Sequence, residues 1–366
     1  MIVNFGSSPL AAPGSARGLR IGLRADASPE IGGGHVMRCL ALFEELRRQG
    51  AEVFLLGDVA SPAWLRSHLA EQELPVLPGP DDPNELVAVA RNMGLDSVVL
   101  DSHTLAPECS RALRAAGIVV AAVVDGTART QEADLYVDQS PGGHVIATNF
   151  PEGARRLGGY RHALIRGAVL AARNQLGRPV ADPAEPAHVL CFFGATDPYG
   201  GVPVAVRALL ATEAPLRLTA VAATPELVGA VEALPTRPTQ RVRVIEPVGQ
   251  LPELARTADL VVTAAGSSVL DLLCIGCAVA VVTVTGSQQL AYEAVVDAGL
   301  VVGLGSLEGL RASGTTLDEG VADLRRLLTH AAERAELGRR GASKIDGQGC
   351  SRVVQALVDL SGNPKR

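Results

Sequence analysis

Arg24-Ala25-Asp26-Ala27-Ser28-Pro29-Glu30-Ile31-Gly32-Gly33-Gly34-His35-Val36-Met37-Arg38-Cys39-Leu40 is the stretch from which the architecture can be read. Leading into it, residues 19–25 alternate, with Ile21, Leu23 and Ala25 on one side, and this predicts a strand. Three glycines follow. Val36, Met37, Leu40, Phe43 and Leu46 then recur at helical spacing, so a helix is expected from about His35. A strand, a glycine loop and a helix start together bring bare backbone N–H groups close to an anionic ligand. His35 falls on the first helical turn, where the partial positive charge of the helix end disfavours imidazolium. A neutral imidazole beside an anion-binding loop is what a general base requires.

Outward from this unit, strands are expected at 19–25, 51–56, 97–101, 118–124 and 134–137, and helices at 35–49, 61–72, 83–93 and 106–116. Such alternation implies a parallel sheet covered on both faces, with ligands beyond the carboxyl ends of the strands. The second half repeats the plan. His188–Phe193 reads as an apolar strand, followed by Gly194-Ala195-Thr196-Asp197-Pro198 and a helix from about Val202; further strands are expected at 215–222, 241–245, 259–263, 278–284 and 300–303. The proline-rich, polar run Arg173–Ala187 separates the halves as a linker. The expected organisation is an N-terminal extension (1–18), a first Rossmann-like domain (19–172), the linker (173–187), a second Rossmann-like domain (188–346), and a C-terminal helix and tail (347–366). Two such domains facing each other across a cleft make an α/β fold of the GT-B type.

In the second half, Ala264-Ala265-Gly266-Ser267-Ser268-Val269-Leu270-Asp271 follows an apolar strand. Gly266 permits close backbone approach, Ser267 and Ser268 are N-cap types whose hydroxyls suit phosphate oxygens, and the helix dipole points at them. Asp271, one turn on, is placed to accept from ribose hydroxyls. A capped helix without any ligand carries the same residues. Gly194 and Thr196 lie in a turn that Asp197-Pro198 would form with or without phosphate.

Bulk properties set limits. The chain has 366 residues, enough for two domains, with 47% hydrophobic but only 3% aromatic residues. The net charge of −6 and the lack of a basic cluster argue against a nucleic-acid surface. Residues 1–18 lack the basic start and apolar run of a signal peptide, and Leu272–Val284 is too short to span a bilayer, so a soluble, cytoplasmic protein is expected. Cys274 and Cys277 form a lone C-x-x-C in an apolar run, which reads as buried thiols. No D-x-D pair or His/Cys cluster offers a divalent-metal site, and no cofactor is expected.

The opening stretch also resembles the signature of the PseG/SpsG family, UDP-sugar hydrolases of the pseudaminic acid pathway grouped with spore-coat polysaccharide proteins and related to the MurG-type GT-B glycosyltransferases. In that family the pattern runs R-A-D-A-S, a few residues, then I-G-x-G-H-x-M-R-C-L. The resemblance implies that His35 is the catalytic base. It also implies substrate contacts at Arg24, Asp26, Gly33, Gly34, His103 and Gln288, and nucleotide or phosphate contacts at Gly194, Thr196, Gly266, Ser267, Ser268 and Asp271. This chain departs from the family pattern in several places. It has His103 where the family has an active-site tyrosine, Asp271 for a glutamate, Ala278 for a proline, Ser287 for an asparagine, and Ala168-Val169 for Glu-Phe after Arg166. Asp125-Gly126 stands where paired acids are usual, and Asp138-Gln139-Ser140 is similar to a family (D/N)-Q-N element.

The expected activity is metal-independent, inverting hydrolysis of a nucleotide sugar, with UDP as the implied nucleotide. The alternative is a glycosyltransferase using the same base on an acceptor hydroxyl, and a non-catalytic sugar-nucleotide binder is a third class. The sequence leaves open whether Asp26 or Asp101 orients the His35 imidazole.

Overall fold

The computed structural model describes residues 15–28, 31–60, 63–125, 131–140, 153–174 and 185–362. Most of the expected N-terminal extension, Pro29 and Glu30 of the opening stretch, Gly126, the bulk of the linker (175–184) and the final residues 363–366 lie outside them.

The first lobe runs β1 (Arg20–Arg24), α1 (Gly34–Arg48), β2 (Glu52–Leu56), α2 (Ala63–Glu71), β3 (Val76–Leu77), α3 (Pro83–Asn92), β4 (Ser97–Leu100), α4 (Pro107–Ala115), β5 (Val119–Val124), β6 (Leu135–Asp138) and β7 (Arg155–Gly158). Its seven strands are all parallel, in the order β3-β2-β1-β4-β5-β6-β7. β4 and β6 are buried along their whole length, as strands covered by helices on both faces must be. The order reverses between β1 and β4, which defines a crevice at their carboxyl ends.

After α5 (Gly167–Asn174) the second lobe continues through β8 (Ala187–Phe192), α6 (Gly201–Ala211), β9 (Leu216–Val221), α7 (Pro225–Glu232), β10 (Gln240–Ile245), α8 (Leu251–Thr257), β11 (Leu260–Ala264), α9 (Ser268–Ile275), β12 (Val279–Thr283), α10 (Gln289–Asp297) and β13 (Val302–Ser306). It ends with α11 (Leu307–Arg311), α12 (Thr315–Thr329), α13 (Ala331–Lys344) and α14 (Gly349–Ser361). Its parallel sheet has the order β10-β9-β8-β11-β12-β13, with its own reversal between β8 and β11. The protein is therefore an α/β molecule of two Rossmann-like units, as the alternating pattern requires.

Two segments cross between the units. α14 returns to the first lobe, where Val353, Val354 and Leu357 join the core formed by Leu23, Leu40 and Leu46. Ser351 on α14 donates to Glu45 of α1, at 2.6 Å. α5, which the sequence placed in the first domain, instead packs on the second. Its Val169 shares a core with Val261 and Leu273, because its apolar side faces α8 and α9. All six cysteines are buried and unbridged. Among the described residues, no helix is long and apolar enough to cross a membrane.

Candidate functional site

Both strand-order reversals open onto the same gap. The loops after β1, β4 and β5 face those after β8, β11 and β12 across two adjoining cavities of about 510 Å³ each, a size usual for small-molecule sites.

The glycine loop sets the first-lobe wall. Gly32 has φ +75°, a left-handed turn that delivers the chain into α1. Gly34, the first residue of α1, faces the second lobe so closely that a Cβ there would stand 3.4 Å from Ser267 Oγ. The starts of α1 and α9 thus approach each other across the gap. Each presents backbone N–H groups that no helical carbonyl can satisfy. Ser267 sits at the N-cap position of α9, yet its hydroxyl makes no capping bond.

His35, on the first turn of α1, lines the second cavity with its side chain only 8% exposed. Asp101, at the carboxyl end of β4, settles its orientation: the Nδ1–Oδ1 distance is 2.7 Å. Arg38, one turn along α1, donates to the same carboxylate from Nη2 (to Oδ1, 2.7 Å) and Nε (to Oδ2, 2.8 Å), and from Nη1 to Asp125 Oδ1 (2.7 Å). Burial alone would raise the Asp101 pKa, but Arg38 and His35 overcome it and hold the carboxyl down to about 2. Burial likewise works against the Arg38 charge, and Asp101 and Asp125 more than compensate, so the guanidinium stays above its ordinary value. An ionised Asp101 only accepts, so Nδ1 of His35 carries a hydrogen, and in the neutral ring this tautomer leaves the lone pair on Nε2. The 2.9 Å approach of Arg38 Nη2 to Nδ1 joins two donors aimed at one oxygen and is not itself a bond. His103, on the loop after β4, packs edge-on against the His35 ring with 4.5 Å between centroids, and its Nε2 lies 3.8 Å from Asp125 Oδ2.

The second-lobe wall is largely backbone. At Gly194 and Gly266 an added Cβ would meet nothing within 4 Å, so both leave open space over the cavity floor. Thr196 and Ser268 line the same cavity. Asp197 is turned inward, capping α6 through the N–H groups of Gly201 (2.7 Å) and Val202 (2.9 Å). Asp271 lines the first cavity but is paired with Arg166, Nη2 to Oδ2 at 3.1 Å; burial raises its pKa and Arg166 pulls it back. The Gln288 side-chain oxygen accepts from Val284 N–H (2.9 Å), which turns its amide nitrogen into the donor end.

The expected residues therefore assemble, with two exceptions. His35, Gly33, Gly34, His103, Gln288, Gly194, Thr196, Gly266, Ser267, Ser268 and Asp271 all line the gap. Arg24 and Asp26 do not. Arg24 is buried at the end of β1, pairing with Asp26 and Asp81, each at 2.7 Å, while Asp26 Oδ1 accepts from Asp58 N–H. This pair ties the loops behind the glycine turn together and leaves no charge facing the gap. Arg38 had no expected role, although its i+3 spacing from His35 on one helix face was readable. Arg166 likewise had no expected role, yet it lines the gap and pairs with Asp271. Among the described residues, no group of three or more His, Cys, Asp or Glu side chains could hold a metal ion.

The sequence matches no protein-family model and no curated protein. Solved structures resemble it in fold. MurG of Acinetobacter baumannii superposes with a TM-score of 0.66 at 16% identity, covering 94% of this chain and 100% of that one. The spinosyn rhamnosyltransferase SpnG complexed with thymidine diphosphate gives 0.64 at 16%, covering 93% and 99%. UDP-GlcNAc 2-epimerase from Neisseria meningitidis, bound to UDP-GlcNAc, gives 0.63 at 12%, covering 93% and 100%. Glycosyltransferases of the GT-B type thus share the two-lobed architecture.

Proposed function

We propose that this protein hydrolyses a nucleotide sugar, with UDP as the nucleotide, at the anomeric carbon and with inversion. The observation that carries the reading is the His35–Asp101 pair set in the gap opposite the start of α9. The diphosphate lies between the starts of α1 and α9. Arg38 and Arg166, the arginines lining the gap among the described residues, are already engaged by carboxylates, so backbone N–H groups and the Ser267 and Ser268 hydroxyls take its charge. The ribose reaches Asp271, and the apolar end formed by Phe193, Val221, Val248 and Leu251 suits the face of the base.

The sugar occupies the second cavity. Water attacks C1 from the side opposite the diphosphate. Its proton passes to Nε2 of His35 while the C1–O bond breaks and its electron pair leaves with the diphosphate. Asp101 keeps the proton on Nδ1 and stabilises the imidazolium that forms. The resemblance of residues 24–40 to the hydrolase signature supports water as the acceptor.

Transfer to an acceptor hydroxyl is the second reading, favoured by the MurG and rhamnosyltransferase neighbours. Incubation with UDP-sugars and no acceptor separates the two readings. Free UDP together with free sugar is the expected result, and turnover that appears only with an added acceptor overturns hydrolysis. His35→Ala should reduce turnover by about 10²–10⁴-fold while UDP affinity by calorimetry stays within about twofold. An unchanged rate would remove His35 as the base.

A further inference from the structure

We propose that Gln139 donates a hydrogen bond from its amide nitrogen to the oxygen that leaves C1 with the diphosphate. The proposal rests on the reading of the gap as a nucleotide-sugar site, with the sugar and the nucleotide in separate cavities.

Gln139 directly follows β6, and only 4% of the residue is exposed. It nevertheless lines both cavities, as do Gly34, Ser267 and Gln288. Residues that border both mark where the cavities meet. With the sugar on one side and the diphosphate on the other, that junction holds the C1–O–P linkage.

The orientation of the Gln139 amide is fixed by the chain. Its oxygen accepts from Leu164 N–H at 3.0 Å, on the segment entering α5. The nitrogen, which can only donate, is the polar end left for the gap. Gln288 is held in the same way from the second lobe, its oxygen taken by Val284 N–H at 2.9 Å. Each lobe thus brings a buried or half-buried amide to the junction with its acceptor already used.

The departing oxygen calls for such a donor. As the C1–O bond breaks, its electron pair stays on that oxygen, which becomes a terminal oxygen of the β-phosphate. Gln139 keeps its hydrogens, and no proton is transferred. The bond strengthens as negative charge develops, so it favours the transition state over bound substrate.

UDP carries this oxygen and UMP lacks it, so calorimetry with the two nucleotides tests the contact without turnover. In Gln139→Met, UDP affinity should fall about tenfold while UMP affinity stays within about twofold. Gln139→Glu retains an acceptor for Leu164 N–H and should keep the thermal midpoint of the parent. At about pH 8, above the ordinary carboxylate range, it should weaken UDP further than the methionine does. With a UDP-sugar that the parent turns over, kcat should fall about tenfold or more in both variants, with KM little changed. Parent-like UDP affinity in either variant would overturn the proposal. Equal weakening of UDP and UMP would also overturn it, assigning Gln139 to the support of Leu164, as would a change confined to KM. A parent that binds UDP but turns over no UDP-sugar, with or without acceptor, would sink the functional reading, and the comparison of UDP with UMP would still decide the Gln139 contact.

Discussion

The first-lobe wall of the gap is built from buried charges, whereas the second-lobe wall is built from backbone and small hydroxyls. On one side His35, Arg38 and Asp101 lie almost wholly out of solvent and are held by bonds of 2.7–2.8 Å. On the other, glycines and serines crowd a helix start, and the nearby carboxylates are occupied: Asp197 caps α6, and Asp271 pairs with Arg166. The difference fits the two tasks. A base must have one ring nitrogen fixed and its tautomer set, which takes a rigid, fully bonded network. A diphosphate needs many donors and no competing anion, which open backbone supplies at little cost in reorganisation.

Asp101→Asn attacks the charged wall and should have the largest effect. It leaves Arg38 and the imidazole partly unpaired in the interior, and the amide can impose the wrong tautomer. Turnover should fall by about 10³-fold or more, with a stability loss of about 3–5 kcal/mol, read by kcat/KM and by the denaturant midpoint. The pH dependence follows with a definite sign. Asp101 is held down to about 2 in the folded chain, below its ordinary value near 4 when unfolded. Its contribution of about 2 kcal/mol is complete above pH ~4 and is lost as pH falls through ~2. Urea midpoints between pH 4 and 2 should therefore drop more steeply in the parent than in Asp101→Asn. Parallel curves would show that the network does not hold that carboxylate.

Gly34→Val addresses the point where the two walls meet. A Cβ alone would make ordinary contact with Ser267 Oγ at 3.4 Å, but the branched methyl groups reach further and hold the helix starts apart. UDP affinity should weaken by about tenfold with little change in the thermal midpoint, since no core side chain moves. Tight binding in this variant would mean that the diphosphate does not bridge the helix starts. Ser267→Ala sharpens the comparison with the smallest effect. Loss of one neutral hydroxyl should weaken UDP binding about two- to tenfold by calorimetry and leave stability unchanged, because that hydroxyl caps nothing. A stability loss instead would assign Ser267 to the fold.

Much of this was readable along the chain. The alternation around Ile21 and Leu23 and the helical spacing from Val36 to Leu46 placed β1 and α1 within a residue or two of their observed ends, since burial on a sheet face or helix stripe leaves a periodic trace. β3, with only Val76 and Leu77, is too short to leave one. β7 is an edge strand carrying exposed arginines, so it lacks an apolar side to read. α5 was missed as a helix, and its lobe was set by which neighbours its apolar side found. Arg24 and Asp26 show the converse. They belong to the most specific stretch of sequence, yet their charges are used up in holding loops together.

The sequence by itself determined two βα units in series, each with a glycine-bearing loop ahead of a helix, and the histidine on the first of those helices. Those features depend on neighbours a few residues apart, where periodicity and turn chemistry operate. The tertiary structure decided that Asp101 and not Asp26 orients His35, that Arg38 joins two carboxylates, and that His103 lies against the His35 ring. Those pairings link residues 63 to 87 positions apart and form only because β1, β4 and β5 lie side by side with their carboxyl ends at one crevice. Strand order is fixed by packing of the whole sheet, and no local pattern encodes it.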